Sequence, residues 1–154
     1  MHNIFSTKGR VGMNKHQLQE LIYNYHWQIK EVDRISRILN NIDGPQGAGT
    51  AQYGIEATLP KPNTKEKSKA EIDAMGRREK RLYDRYMRFK SNVELVESLA
   101  DHLDNDFNQI ILDCMMEGMS LRAIGAHLGI SRYKVGELKD EMIDHFCQIC
   151  HFPQ

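Results

Sequence analysis

Residues 119–142 read MSLRAIGAHLGISRYKVGELKDEM, and this stretch predicts two short helices joined by a sharp turn. Ser120 and Ser131 each stand where a helix N-cap is favoured, and Gly129 stands where a helix ends with positive φ. Ala123 leaves room for a close helix crossing. The apolar residues are spaced for a single buried face: Leu121, Ile124, Leu128, Val135, Leu138 and Met142. The pattern predicts a helix-turn-helix, although an ordinary helical hairpin shares some of these features.

The segment before this unit, DNDFNQIILDCMMEG, predicts one more helix with a C-cap at Gly118. Its expected apolar face consists of Phe107, Ile110, Ile111 and Cys114. Residues 104–151 are therefore expected to form one C-terminal helical domain.

In a helix-turn-helix the second helix enters the major groove, and its first turn and outer face contact bases and phosphates. The outward residues predicted here are Arg132, Tyr133, Lys134, Gly136, Glu137 and Lys139. The cap residue Ser131 is a further candidate DNA contact. Arg122, at the start of the preceding helix, is a candidate phosphate contact.

Residues 14–103 are expected to form a second region, built from two long helices. The first spans residues 14–42, and the second runs from a cap at Thr64 to about Leu103. Heptad positions give a candidate oligomerisation stripe: Leu18, Tyr25, Val32, Leu39, Leu82, Phe89 and Val96. The stripe needs burial against another helix of the same chain or of a second copy, so we expect an all-α fold with a coiled-coil-like or bundle element.

Residues 43–63 interrupt the two helices with four glycines and three prolines, so they are expected to form an irregular linker. At this length the linker is long for a compact domain.

Charge is uneven along the chain although the total cancels. Residues 61–90 contain 11 Lys or Arg against 5 Asp or Glu, whereas residues 100–154 contain 4 against 9. Arg77, Arg78, Lys80 and Arg81 are candidate phosphate contacts, and the alternative is an ordinary solvated helix face.

The composition fits a globular protein without membrane spans, since the 40% of hydrophobic residues occur in runs of only a few. The first fifteen residues lack the apolar core of a secretion signal, which predicts a cytoplasmic protein with reduced cysteines.

The end of the chain contains Cys147-Gln-Ile-Cys150-His151, the spacing of a c-type haem attachment site, with His145 close by. Haem attachment needs an oxidising compartment, and a structural zinc site normally draws ligands from two separated segments. We therefore predict no cofactor and no metal, with helix packing as the role of the cysteines and zinc as the open alternative.

The unit GMSLRAIGAHLGISRYKVGELKDEM resembles the promoter-reading fourth region of bacterial sigma factors. The order of N-terminal helix, irregular segment YGIEATLPKPNTKEKSKAE, second long helix and C-terminal unit is similar to that of small phage late-transcription regulators of the ArpU, RinA and LtrC type. Arg132, Tyr133 and Lys134 fall at the start of the sigma-like reading helix.

This resemblance implies a cytoplasmic activator of phage late genes for packaging, structure and lysis, in a Gram-positive host. The implied partners are double-stranded promoter DNA, host RNA polymerase, a second copy of the chain and a satellite-encoded inhibitor protein. A sigma-like adaptor that binds polymerase or another regulator without reading DNA is the alternative. A complete sigma factor would need a promoter-melting domain that the sequence does not show, and no nucleophile, metal or phosphate-loop motif indicates an enzyme.

Overall fold

The computed structural model describes residues 13–42 and 66–151. Within them all regular structure is helical, which confirms the all-α prediction at this level. The helices are α1 (Lys15–Ile42), α2 (Lys69–Ala74), α3 (Arg77–Leu99), α4 (Asp106–Met116), α5 (Leu121–Leu128) and α6 (Arg132–His151), with a short 3₁₀ turn at Ala100–His102. Among these helices none is long and apolar enough to cross a membrane. The predicted linker, residues 43–63, lies outside the described residues.

The first long helix forms over nearly the range that the sequence predicts. Asn14 starts it, because its side chain accepts a hydrogen bond from the Gln17 backbone N–H at 2.8 Å while the Gln17 side chain accepts from the Asn14 N–H at 3.1 Å. This reciprocal pair satisfies two backbone donors that the first turn of a helix leaves without partners.

The predicted second long helix is wrong as a single element. Its predicted cap, Thr64, lies outside the described residues, and the described chain forms a short helix α2 capped by Ser68, whose hydroxyl accepts from the Glu71 N–H at 3.3 Å. Met75 and Gly76 then take extended backbone angles, and α3 begins at Arg77. The heptad spacing continues through the break, so it does not show that the helix is interrupted.

α1 and α3 form an antiparallel pair whose two ends belong to different apolar clusters. Near the start of α1, Leu18 and Ile22 share a core with Val96 and Leu99 of α3. At the other end, Ile35 and Leu39 form a second cluster with Leu82, Tyr83 and Tyr86.

The pair buries much of the predicted oligomerisation stripe inside one chain. Leu18, Leu39, Leu82 and Val96 are buried in this way, whereas Tyr25, Val32 and Phe89 are half-buried. The structure therefore explains four of the seven apolar positions without a second copy, and oligomerisation stays a prediction.

The larger core joins the first half of α1 to α4, α5 and α6, so it crosses the predicted domain boundary at residue 104. Phe146 of α6 and Ile111 of α4 are fully buried in it together with Leu18 and Ile22 of α1. Full burial of one such side chain stabilises the fold by roughly 1.5–3 kcal/mol. The position of α6 is thus fixed directly by α1.

The apolar face predicted for α4 is partly wrong. Ile111 and Cys114 are buried as expected, but the buried face continues through Leu112 and Met115, while Phe107 and Ile110 remain 40% and 36% exposed. The helix is turned relative to the prediction because both α1 and α6 pack against it.

Candidate nucleic-acid interface

α5 begins and ends at residues suited to helix termini. The Ser120 hydroxyl accepts a hydrogen bond from the Ala123 N–H at 3.2 Å, and Gly129 ends the helix in the left-handed region with φ of 70°. Ile124, in the middle of α5, is fully buried. These three observations agree with the sequence prediction for this helix.

The turn between α5 and α6 is closed by a very near approach at Gly125. A Cβ atom at this position would lie 2.8 Å from the carbonyl oxygen of Ile130, and the Ile130 N–H donates to the Gly125 carbonyl at 3.0 Å. The small residue at the crossing is therefore Gly125, and the prediction of Ala123 is wrong because Ala123 is exposed. The sequence does contain a signal for this contact, a glycine in the interior of a short helix. Glycine there destabilises the helix by about 1 kcal/mol relative to alanine, so its presence indicates a close approach.

The first turn of α6 presents three side chains to solvent. The Ser131 hydroxyl caps the helix by accepting from the Lys134 N–H at 3.1 Å. Arg132, Tyr133 and Lys134 are exposed, Tyr133 to 78%, while the next residue, Val135, is fully buried. The buried valine fixes the rotation of α6 about its axis, so that the outward direction of its first turn is fixed too.

The helix preceding α5 ends in a defined C-cap. The Met119 N–H donates to the Cys114 carbonyl at 3.0 Å and the Gly118 N–H donates to the Met115 carbonyl at 2.9 Å, with φ of 82° at Gly118. This is the Schellman arrangement, in which a left-handed glycine satisfies the last carbonyls of a helix. The positive φ predicted at Gly118 is confirmed.

α1 holds this turn and α6 in place, a role that sequence spacing does not reveal. The His26 imidazole, whose Nδ1 lies 2.8 Å from the Tyr23 carbonyl oxygen, packs so closely on Gly118 that a Cβ there would lie 3.2 Å from it. Lys15 forms an ion pair with Asp144 of α6. α6 is thus supported by contacts from a helix that begins more than a hundred residues earlier in the chain.

The remaining predicted contacts divide between two environments. Arg122 is exposed on the first turn of α5, and Glu137 is exposed on α6, where its carboxylate lies 3.4 Å from the Lys134 Nζ. Lys139 is different, because only 12% of its side chain is exposed and its Nζ donates to the Gln19 side chain at 3.3 Å. The expectation that Lys139 points out of α6 is therefore wrong, since Lys139 belongs to the contact between α6 and α1.

The candidate phosphate contacts of residues 77–81 lie at the start of α3, whereas the end of α3 packs in the core that contains α6. Arg77, Arg78, Lys80 and Arg81 are all exposed on the first turns of α3, next to the cluster formed with the end of α1. The structure does not bring them together with the first turn of α6.

Cys147 of the C-terminal motif is a packing residue in the structure. It is buried in the main core, its Sγ lies 3.9 Å from the Met13 carbonyl oxygen, and burial raises the pKa of its thiol. A thiol with a raised pKa is a poor nucleophile and metal ligand at neutral pH. His145 Nε2 lies 3.3 Å from the His102 carbonyl oxygen. Among the described side chains, which exclude those of Cys150 and His151, no three potential ligands are grouped to hold a metal ion.

Comparison with known proteins identifies one relative that covers almost the whole chain. It is the uncharacterized protein YqaQ of Bacillus subtilis (strain 168), 46% identical over 141 residues, which are 91% of this chain and 93% of YqaQ. The chain belongs to the YqaQ family. No protein-family model matches the chain, and no solved structure matches it significantly. The YqaQ family is therefore shown by sequence.

Proposed function

We propose that this member of the YqaQ family is a sequence-specific DNA-binding transcription activator. The observation that carries the proposal is the pairing of a tightly crossed α5 and α6 with a first turn of α6 that projects Arg132, Tyr133 and Lys134 into solvent. This arrangement suits a helix-turn-helix, in which the second helix enters a major groove. The resemblance of the sequence of residues 118–142 to the fourth region of sigma factors supports the same function.

The chemistry of these side chains suits base and phosphate contacts. Arg132 has the fork of donors that pairs with guanine in the major groove, and Lys134 is a cation for guanine or phosphate. Tyr133 offers a ring for a thymine methyl and a hydroxyl for a phosphate. Arg122, at the N-terminal end of α5, is placed to hold the backbone beside the groove.

The wider role follows from the resemblance to phage late-transcription regulators. In this proposal the protein acts in the cytoplasm of the bacterial host with RNA polymerase, as a homodimer or higher oligomer, on late genes for packaging, structure and lysis. A satellite-encoded inhibitor is a further proposed partner. A two-fold dimer would present two α6 helices about one DNA turn apart and so double the number of contacts.

A selection experiment tests DNA reading and finds the preferred sequence at the same time. Purified full-length protein is used to enrich duplexes from a random-sequence pool, and the enriched duplex is then compared with a scrambled one. Arg132→Gln combined with Lys134→Gln is expected to remove the preference for the enriched duplex. A control variant, Arg37→Gln combined with Lys90→Gln, carries the same charge change at residues that form ion pairs within the protein and is expected to retain the preference. A pool that stays random with folded protein would refute the proposal.

The acidic surface of α6 favours a second candidate function. Asp140 and Glu141 are exposed beyond the proposed reading turn, and the Lys134 charge is partly compensated by Glu137. These features suit an adaptor that binds a basic surface of RNA polymerase or of another regulator. Loss of polymerase binding in an Asp140→Asn, Glu141→Gln variant, together with a random pool in the selection, would favour the adaptor.

A further inference from the structure

A basic face runs along α3 at the end of the molecule away from α6. It consists of Arg77, Lys80, Arg81, Arg85 and Arg88, all exposed. Their spacing of three or four residues places them on one side of the helix, and eleven residues of helix rise make the face about 17 Å long. Residues 77–90 contain seven Lys or Arg and only two acids, Glu79 and Asp84.

Most cations of the basic face have no carboxylate partner among the described residues. Within the two described segments of the chain, no carboxylate lies within ion-pair distance of Arg77, Lys80, Arg81 or Arg88. The cations of α1 differ: Arg34 donates to both oxygens of Glu31 at 2.6 and 2.7 Å, and Arg37 pairs with Asp33. Cations that are already compensated contribute little attraction for an anion, so the α3 face is the main uncompensated positive surface of the α1–α3 pair.

The basic face continues into a groove between α3 and α1. Arg85 and Phe89 line one wall, and Trp27, Lys30, Glu31 and Arg34 line the other. Trp27 and Phe89 meet edge to face with ring centroids 5.2 Å apart, and the Arg88 guanidinium lies 5.3 Å from the Phe89 centroid. Trp27 is still 40% exposed. The cations along this groove suit the phosphates of a nucleic-acid backbone.

Residues 100–154, which include the proposed reading turn, carry a net negative charge, so binding to DNA needs a basic surface elsewhere in the protein. These residues contain nine acids and four bases. One of those bases, Lys139, already contacts Gln19 of α1 and the Asp140 carboxylate. Neutralised phosphates supply a large share of the affinity of proteins for duplex DNA, and residues 100–154, with four bases, offer few such contacts by themselves.

We propose that the basic face of α3 and the adjoining groove bind the phosphates of duplex DNA beside the sequence that α6 reads. This inference rests on the proposed function for its ligand class. Val96 of α3 lies in the core shared with α6, so Arg88 and Arg77 stand about 12 and 28 Å from it along the helix, within one DNA turn of about 34 Å. The face supplies affinity, and α6 supplies sequence preference.

The test measures binding of the full chain to a long scrambled duplex across a salt series. Arg81→Gln combined with Arg88→Gln is compared with the equally charged control Arg37→Gln, Lys90→Gln, whose cations are ion-paired within the protein. Two lost phosphate contacts should reduce the steepness of log affinity against log salt by about 1.8, which corresponds to roughly 60-fold weaker binding at 0.1 M salt when the affinities are equal at 1 M salt. The control should keep the wild-type slope. Circular dichroism shows whether both variants remain folded.

The result separates this inference from the proposed function. A slope change confined to the α3 variant supports the basic face even if the wild-type protein shows no sequence preference, in which case only the reading role of α6 fails. Equal slopes in the α3 variant and the control overturn the inference even if α6 reads sequence. Absence of duplex binding at 50 mM salt also overturns it, and would leave an acidic protein segment as the ligand of the groove.

Discussion

Gly125 provides the sharpest test of the tight crossing between α5 and α6. An alanine Cβ would lie 2.8 Å from the Ile130 carbonyl oxygen, 3.4 Å from the Arg132 nitrogen and 3.5 Å from the Ser131 carbonyl carbon. The obstructing atoms belong to the backbone, so α6 must move away or the turn must open. Such overpacking costs up to about 3 kcal/mol. The better helix propensity of alanine returns about 1 kcal/mol.

We therefore expect Gly125→Ala to lower the free energy of unfolding by about 1–2 kcal/mol. Gly136→Ala is the matched control, because Gly136 lies inside α6 and a Cβ there would meet nothing within 4 Å. That control should raise the free energy of unfolding by about 0.5–1 kcal/mol. Urea unfolding followed by circular dichroism measures both values. A Gly125→Ala protein as stable as the Gly136→Ala protein would refute the close crossing.

Three further predictions follow from single residues. Gly118→Ala and Gly129→Ala should each lower the free energy of unfolding by about 1–2 kcal/mol, since both glycines have positive φ. Gly118→Ala should lower it more, because the added Cβ also meets the His26 imidazole. Urea unfolding of the two variants measures the difference. In a Cys150→Ser background, Cys147 should react with a thiol reagent at neutral pH only after denaturant is added, since it is buried with a raised thiol pKa; fast labelling of the folded protein would contradict this. Burial, and then a hydrogen bond to the Glu97 carboxylate, raise the pKa of Tyr25 to about 12. The neutral phenol therefore stabilises the folded state below pH 10, and this stabilisation is lost as pH rises from 10 to 12. The difference between the ultraviolet titrations of the wild type and of Tyr25→Phe should show one phenol with a midpoint near 12, and a midpoint near 10 would contradict the prediction.

The parts of the fold that sequence predicts well are those fixed by nearest neighbours. Ser120 and Ser131 cap helices and Gly118 and Gly129 end them because each acts on backbone groups within a few residues. Val135 is buried as its spacing indicates. These local signals predict where α5 and α6 lie and which way the first turn of α6 faces.

The errors concern contacts that lie outside a single helix, either within the turn between α5 and α6 or between distant segments. Gly125 and Lys139 take their roles from the Ile130 carbonyl and from Gln19 of α1, and no periodicity within one helix shows such contacts. The spacing within α4 alone places Phe107 in the core, because it does not include the positions of α1 and α6 around that helix. The heptad stripe predicted burial but did not distinguish a partner helix in the same chain from one in a second copy.

Site-specific crosslinking tests the proposed orientation of α6 on DNA. A photo-crosslinking phenylalanine analogue replaces Tyr133, the most exposed side chain of the proposed reading turn, and in a second protein it replaces Phe107, which is exposed on α4. We expect the analogue at 133 to crosslink to the enriched duplex at bases of the preferred sequence and the analogue at 107 not to crosslink. Retained duplex binding with crosslinks from 107 and none from 133 would contradict this orientation.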